Sequence, residues 1–293
     1  MTISVCIPTY NRWMQLRLNL LRLEKVTRKP DEIVVCDDGS IDETVNNLRQ
    51  LVDSGYSIPL RCFYLPSPEY GCSSRPRNVA IRNATSSLIL DTASDMFHLS
   101  LDLLGEMERL CKTYNRLVVA GNVFFMGSEY ICEDFVSITE QEVQGNSVWG
   151  YGAVNGAQNS NVFLHSFGNL PTFMYKKEWI VKIGGYDESF SGWGSDDFDI
   201  VTRIDNYCAN IERPSYEDYV LDYRQFLFSN PMVHIWHERG DRIYSKQDYE
   251  NMDKQKKNAL SIFIDQPSWG ILTDDEKELN YKMGIAPETG CFL

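Results

Sequence analysis

The chain has 293 residues, 43% hydrophobic and 24% charged, enough for one large or two small soluble globular units. A net charge of −13 and a pI near 4.8 argue against non-specific binding to nucleic acid or to an anionic membrane. Any anionic ligand therefore needs a local cation. The eight cysteines form no C-x-x-C pair, so a cysteine zinc cluster is not expected.

The opening stretch MTISVCIPTYNR lacks the basic leader and apolar length of a signal peptide, and no run approaches the ~18 apolar residues of a membrane span. Cys6 and Cys36 lie in apolar runs and read as buried free thiols, which together predict a cytoplasmic location. No internal repeat or low-complexity tract is present.

Ile3 to Ile7 is a β-branched apolar run, a buried strand that stops at Pro8-Thr-Tyr-Asn11. A helix follows with Leu16, Leu20 and Leu23 on one face. Glu32 to Cys36 is a second strand ending in Asp37-Asp-Gly-Ser40. Ser40 and Glu43 make an S-x-x-E capping pattern for a helix with Val45, Leu48 and Val52 inward. Leu60 to Leu65 is a third strand, Arg77 to Ala84 a helix, and Leu88 to Leu90 a fourth strand ending in Asp91-Thr-Ala-Ser-Asp95. A helix over about 100–113 precedes a strand from Leu117.

Residues 129–161 read as loops and short strands, Pro171 to Tyr175 as a strand, and Lys177 to Ile183 as a helix stopped by Gly184-Gly185. Asp196 can cap a helix whose inner face is Val201, Ile204 and Cys208. Met232 to Trp236 is an apolar strand containing His234. Beyond 245 the apolar positions are too sparse for a separate core, which predicts a helical extension wrapping the rest.

Strands alternating with helices predict an α/β fold, a mostly parallel sheet covered on both faces. Ligands of such sheets sit beyond the carboxyl ends of the strands. Thr9 and Asn11, Asp37 and Asp38, and Asp91 and Asp95 fall at those ends. Each set alone also serves as turn former or helix cap; three on one edge predict a site. Neither G-x-G-x-x-G nor G-x-x-x-x-G-K-[ST] is present, so a bound nucleotide needs carboxylate-held divalent metal to neutralise its phosphates.

The ordered set SVCIPTYNR (4–12), DEIVVCDDGSIDET (31–44), SSRPRNVAIRNA (73–84), LILDTASDM (88–96), GGYDESFSGWGSDDFDI (184–200) and HIWHER (234–239) resembles the family-2 glycosyltransferases of the GT-A fold. The Gly-Trp-Gly-x-acidic-Asp stretch also resembles the β-1,4-galactosyltransferase group. The resemblance covers roughly residues 1–240. It implies a GT-A, Rossmann-like domain there, with a nucleotide-binding half over 1–122, an acceptor half over 123–240, and an extension over 241–293.

The resemblance further implies a nucleotide-sugar donor, UDP-linked, a carbohydrate or glycoconjugate acceptor, inversion, and a Mn2+ or Mg2+ ion on the diphosphate. Pro8, Thr9, Tyr10, Asn11, Arg12, Asp38, Arg77 and Ser94 are then expected around the donor, with Asp38 accepting from the base. Asp95 matches the metal-binding end of the D-x-D motif and His237 the histidine that completes the metal site. The motif's first carboxylate is replaced here by Ala93 or Ser94, which either weakens metal binding or shifts part of the ligation to a histidine. Asp197 matches the catalytic base, with Asp196 and Trp193 on the acceptor side.

The residues alone leave competing readings. Asp196 to Asp199 also complement a helix N-terminus. On a strand, His234 and His237 point to opposite faces and cannot share one metal unless the chain turns. A sugar-nucleotide nucleotidyltransferase shares strand-end carboxylates and metal, but Pro8 to Trp13 has no glycine. The incomplete D-x-D also fits a catalytically inactive carbohydrate-binding relative. A metal hydrolase is disfavoured because H-E-x-x-H is absent.

Overall fold

The computed structural model describes residues 1–66, 73–120, 123–125, 149–151, 172–192, 194–209, 211, 213–235, 237 and 246–279. β1 (Ile3–Thr9), β2 (Glu32–Asp37), β3 (Leu60–Tyr64) and β4 (Leu88–Asp91) lie side by side in parallel. β1, β2 and β4 are buried along their whole length, which is why they read as unbroken apolar runs. The chain order across this sheet is β11-β3-β2-β1-β4-β9-β6. β9 (Phe173–Lys176) runs antiparallel to both β4 and β6 (Val118–Val119).

The strands step from β1 to β2 to β3 in one direction, then return to β4 on the other side of β1. Right-handed crossovers place α1 (Trp13–Leu23) and α2 (Thr44–Ser54) on one face and α3 (Ser74–Asn83) on the other. The order reverses between β1 and β4, so the ligand crevice of this topology opens at Thr9 and Asp91.

A second, four-stranded sheet, β5-β10-β7-β8, is not evident in the sequence. β5 (Met96–His98) is antiparallel to β10 (Met232–His234), with Met96 opposite His234. β7 (Val123–Phe125) and β8 (Trp149–Tyr151) complete it. α4 (Leu103–Tyr114) packs on β9, and α7 (Tyr216–Ser229), which the sequence reading passes over, packs on α4. α5 (Lys177–Ile183) and α6 (Asp196–Cys208) pack together. Val201, Ile204 and Cys208 form the buried face of α6, as the spacing predicts. No helix among the described residues is long and apolar enough to cross a membrane.

Three local expectations change. Ser40 does not cap α2: its Oγ accepts from Asn11 N at 2.7 Å, and Thr44 N donates to Asp42 instead. The hydroxyl is taken by the neighbouring strand-end loop before the helix can use it. The N-cap of α6 is Ser195, with Asp196 as the first helical residue. The extension is not wholly helical. After α8 (Lys246–Ser261) its described residues include β11 (Lys277–Leu279), antiparallel to β3.

That extension is wedged into the domain. Trp269 is in the main core. A Cβ on Gly185, at φ +76°, would lie 2.6 Å from its ring, and one on Gly270, at φ +64°, 2.3 Å from Asn78 O. Only glycine tolerates both the conformation and the contact.

The turn at Gly184-Gly185 is tied to α6 by a buried ion pair. Arg203 Nη2 lies 2.7 Å from Asp199 Oδ2 and donates to Gly185 O at 2.8 Å, while Nη1 donates to Ile183 O. Arg203 and Asp199 are 0% and 1% exposed. Burial pushes the Asp199 carboxyl up, and Arg203 pulls it back. Asp199→Ala strands a buried guanidinium, which costs about 3–5 kcal/mol. It is expected to lower the melting temperature by roughly 6–15 °C. An unchanged thermal melt would show that the pair does not hold the turn.

Candidate active site

The site lies at the β1/β4 crevice. Thr9 O accepts from Asp38 N at 2.9 Å, which couples the ends of β1 and β2. Asp37 Oδ1 accepts from Gly39 N and Ser40 N, closing the turn after β2. Asn11 sits at φ +49°, a conformation its short amide tolerates, and its Oδ1 accepts from Ile41 N at 2.8 Å. Thr9 and Asp38 are buried, Tyr10 is exposed, and Pro8 pairs with Cys36 within the sheet. Thr9 Oγ1 and Asp37 Oδ2 are buried without a hydrogen-bond partner. Such atoms are costly unless a ligand engages them. Asn19 Nδ2 donates to Ala93 O and Ser94 O, pinning the turn that ends in Asp95.

Arg77 does not reach outward as a donor-binding cation. It is 3% exposed and its Nη1 is paired with Asp91 Oδ1. Asp91 is fully buried and also accepts from Tyr186 Oη at 2.7 Å and Tyr175 Oη at 3.1 Å. Burial pushes the Asp91 carboxyl up, while Arg77 and the two phenols pull it down. Burial alone would lower the Arg77 pKa, but Asp91 raises it well above the ordinary value. A carboxylate touching a guanidinium that cannot lose its proton stays ionised.

From this anchor Arg77 reaches both acidic residues at the start of α6. Its Nη2 is 3.7 Å from Asp197 Oδ1. Its Nε donates to Ser73 Oγ at 2.9 Å, and Ser73 Oγ donates to Asp196 Oδ2 at 3.0 Å. Asp196 is 8% exposed. Asp197 is about a third exposed, yet its Oδ1 is buried with no hydrogen-bond partner. Burial and the neighbouring Asp196 charge push the Asp197 carboxyl above the usual carboxylate range, and Arg77 opposes them. Trp193 lies outside the described residues.

Asp95 meets two histidines. Its Oδ2 is 3.1 Å from His237 Nε2 and 3.6 Å from His234 Nε2. The period-two objection to a shared ligand set fails because β10 ends at His234. Ile235 N then donates to Asp95 O at 2.8 Å, and the turned chain returns His237 to the same carboxylate. Arg12 Nη2 donates to His237 Nδ1 at 2.9 Å.

Burial alone would raise the Asp95 pKa, but the His237 hydrogen bond, His234 and Arg12 bring it to about 2. One atom from each of Asp95, His234 and His237 falls within 4.8 Å of the others, a donor set that could hold a divalent ion. One oxygen and two imidazoles fit Mn2+ better than Mg2+.

The sequence reading places Asp91 on the strand-end edge without giving it a role, misses Tyr175, Tyr186 and Ser73, and assigns no role to His234. One signal was available: Asp91 ends an otherwise apolar strand, Leu-Ile-Leu-Asp, and a buried carboxylate requires a cation.

The sequence pattern described as "Glycosyltransferase like family 2" matches residues 1–230. The chain belongs to that family, and its fold is the GT-A fold of glycosyltransferases. It is 26% identical over 229 residues to the chondroitin synthase of Pasteurella multocida (strain Pm70), covering 69% of this chain and 23% of that protein. It is 26% identical over 226 residues to the chondroitin synthase of Escherichia coli, covering 69% of this chain and 32% of that protein. The match thus spans about a quarter to a third of those relatives. The structure of GalNAc-T7 with UDP, GalNAc and Mn2+ superposes with a TM-score of 0.56 at 15% identity, covering 88% of this chain and 48% of that one.

Asp95→Ala is expected to abolish tight Mn2+ binding in the presence of UDP. His234→Ala and His237→Ala should each weaken it by roughly tenfold or more, because even groups that only orient a ligand contribute about 10–100-fold. Titration of Mn2+ followed by its electron paramagnetic resonance signal checks this. Wild-type affinity in either histidine variant removes that residue from the metal site.

Proposed function

We propose that this chain transfers a sugar from a UDP-linked donor to a hydroxyl of a carbohydrate or glycoconjugate acceptor, with inversion at the anomeric carbon. The observation that carries the reading is the meeting of two separately held acidic centres. One is the Asp95, His234 and His237 cluster. The other is Asp197, 3.7 Å from the Arg77 guanidinium that Asp91 holds at the end of β4. UDP and Mn2+ are supported by the GalNAc-T7 likeness, and a carbohydrate acceptor by the chondroitin synthases.

In this reading the nucleotide lies along Pro8, Thr9, Tyr10, Asn11 and Arg12, with Asp38 accepting from the base and Ser94 beside the diphosphate. A divalent ion held by Asp95 and the imidazoles, once bound, neutralises charge on the departing diphosphate. The acceptor oxygen attacks the anomeric carbon, the bond from that carbon to the diphosphate oxygen breaks, and the hydroxyl proton passes to Asp197. Asp196 and Trp193 belong to the acceptor side.

Burial and Asp196 raise the proton affinity of Asp197, and Arg77 opposes them. A base poised in this way operates near neutral pH. The same reading divides residues 1–240 into a nucleotide half (1–122) and an acceptor half (123–240), with 241–293 as the extension. It is supported by the separation of the donor-side residues on β1 to β5 from Asp197 on α6.

A panel of UDP-linked hexoses and N-acetylhexosamines, with GDP-mannose as comparison and chondroitin oligosaccharide as acceptor, tests the activity through nucleotide diphosphate release. Asp197→Asn is expected to keep the fold and UDP affinity and to lower transfer by roughly 10²–10⁴-fold. Loss of UDP binding in parallel would contradict a base role. Since the base acts ionised and its pKa is raised, transfer by the wild type should increase with pH, with an acid limb above the ordinary carboxylate value of ~4. A limb at or below that value would show that Asp197 is not the group being titrated.

A further inference from the structure

We infer that Asn251, on α8 and beyond the family match, is a positioning residue that fixes the turn leading into Asp196 and Asp197. The inference rests on the reading of Asp197 as the base. α8 is an unusual surface helix. Such helices ordinarily bury an apolar stripe, but the buried residues described on α8 are Asn251 and Asn258. Its hold on the domain is therefore directional and polar.

Asn251 is 1% exposed. Its Nδ2 donates to Ser191 O at 2.8 Å and to Gly194 O at 3.4 Å. One amide thus bridges two carbonyls on either side of the Gly-Trp-Gly turn. Its Oδ1 accepts from Gln247 Nε2 at 3.2 Å, which fixes the orientation of the amide. The turn itself is improbable for a free chain: Gly192, Gly194 and Ser195 all have positive φ, at +70°, +92° and +73°. A Cβ on Gly194 would meet nothing within 4 Å, so glycine is required there by conformation rather than by space. Ser195 has no such freedom and needs outside support.

The turn sets the start of α6. Asp199 N donates to Ser195 O at 2.8 Å, so α6 begins from the backbone Asn251 holds. A slack turn lets Asp197 drift relative to Arg77 and the donor. Displacements of about 1 Å at a catalytic group cost about 100-fold. Elsewhere α8 holds the same loop without touching the turn: Asn258 Nδ2 donates to Asp187 Oδ2 at 2.9 Å, and Lys254 Nζ lies 5.2 Å over the Phe190 ring.

Asn251→Asp tests this, since it keeps the size and replaces the donor with an oxygen facing two carbonyls. Asn258→Ala on the same helix is the control. In hydrogen exchange on the full chain, Asn251→Asp should accelerate amides 194–199 by tenfold or more, with those around Asp38 and Asp95 unchanged. Asn258→Ala, which removes an amide beside the Asp199 carboxylate, should leave amides 194–196 as in the wild type.

With the donor and acceptor identified by the sugar panel, Asn251→Asp should raise acceptor KM and lower kcat about tenfold, with donor KM and UDP affinity unchanged. Equal exchange in both variants, or acceptor and donor constants moving together, overturns the inference. If the wild type transfers no sugar to any acceptor, the proposed activity fails, and the exchange result alone decides whether Asn251 holds the turn.

Discussion

A carboxylate is placed where water cannot reach it, at the end of the strand beside the crevice. Asp91 is 0% exposed, and its charge is tolerable only because Arg77, Tyr175 and Tyr186 surround it. That requirement organises three parts of the chain. It brings α3 to the end of β4 through Arg77, draws β9 in through Tyr175, and locks the Gly185-Tyr186 turn through the Tyr186 phenol. Asn78, one residue beyond Arg77, repeats the tie by accepting from Tyr186 N and donating to Tyr186 O, each at 2.8 Å. The guanidinium left over from this pairing faces Asp197 and, through Ser73, Asp196 at the start of α6. The pair therefore positions and electrically biases a group on a different element.

The second constraint is topological. The reversal of strand order opens the crevice between β1 and β4, and the chain leaving β4 enters the small second sheet at once. β5 and β10 are short, so their paired ends present Asp95 and His234 at one edge, and the turn after His234 adds His237. A third ligand candidate thus comes from chain geometry where the D-x-D motif lacks its first carboxylate. From a third direction Asn251 of α8 holds Ser191, ahead of Asp196, and Trp269 packs on Gly185.

The sequence makes the nucleotide half legible. β1, β2 and β4 are buried on both faces, so their apolar runs are continuous and their ends are marked by Asp, Asn and Ser. The roles of Asp38, Asp95, Asp197 and His237 come from the resemblance; the first three lie at a strand end or helix start, and His237 lies three residues beyond the end of β10. α7 is not legible because its packing face is aromatic and polar at once: Tyr219 and Tyr223 are buried, and their hydroxyls bond to Leu117 O and Val119 O. β11 is invisible because Lys277-Glu-Leu279 is an edge strand with little apolar signal. His234 is misjudged by strand periodicity, which holds only while the strand lasts. The donor-side role of Arg77 comes from the resemblance; its pairing with Asp91, 14 residues away on another element, is beyond the reach of periodicity.

The central claim is that the Asp91–Arg77 pair serves the chemistry through Asp197, beyond its part in the fold. The most direct measurement is sugar transfer by the double variant Asp91→Leu/Arg77→Met, compared with each single variant at a temperature where all are folded. Removing one partner strands a buried charge, whereas removing both leaves only the neutral Tyr175 and Tyr186 hydroxyls to find new partners, so the double variant should melt nearer the wild type than either single variant. The account predicts that it nevertheless stays inactive, because Asp197 has lost the cation that holds it. Wild-type transfer by a stable double variant would contradict it.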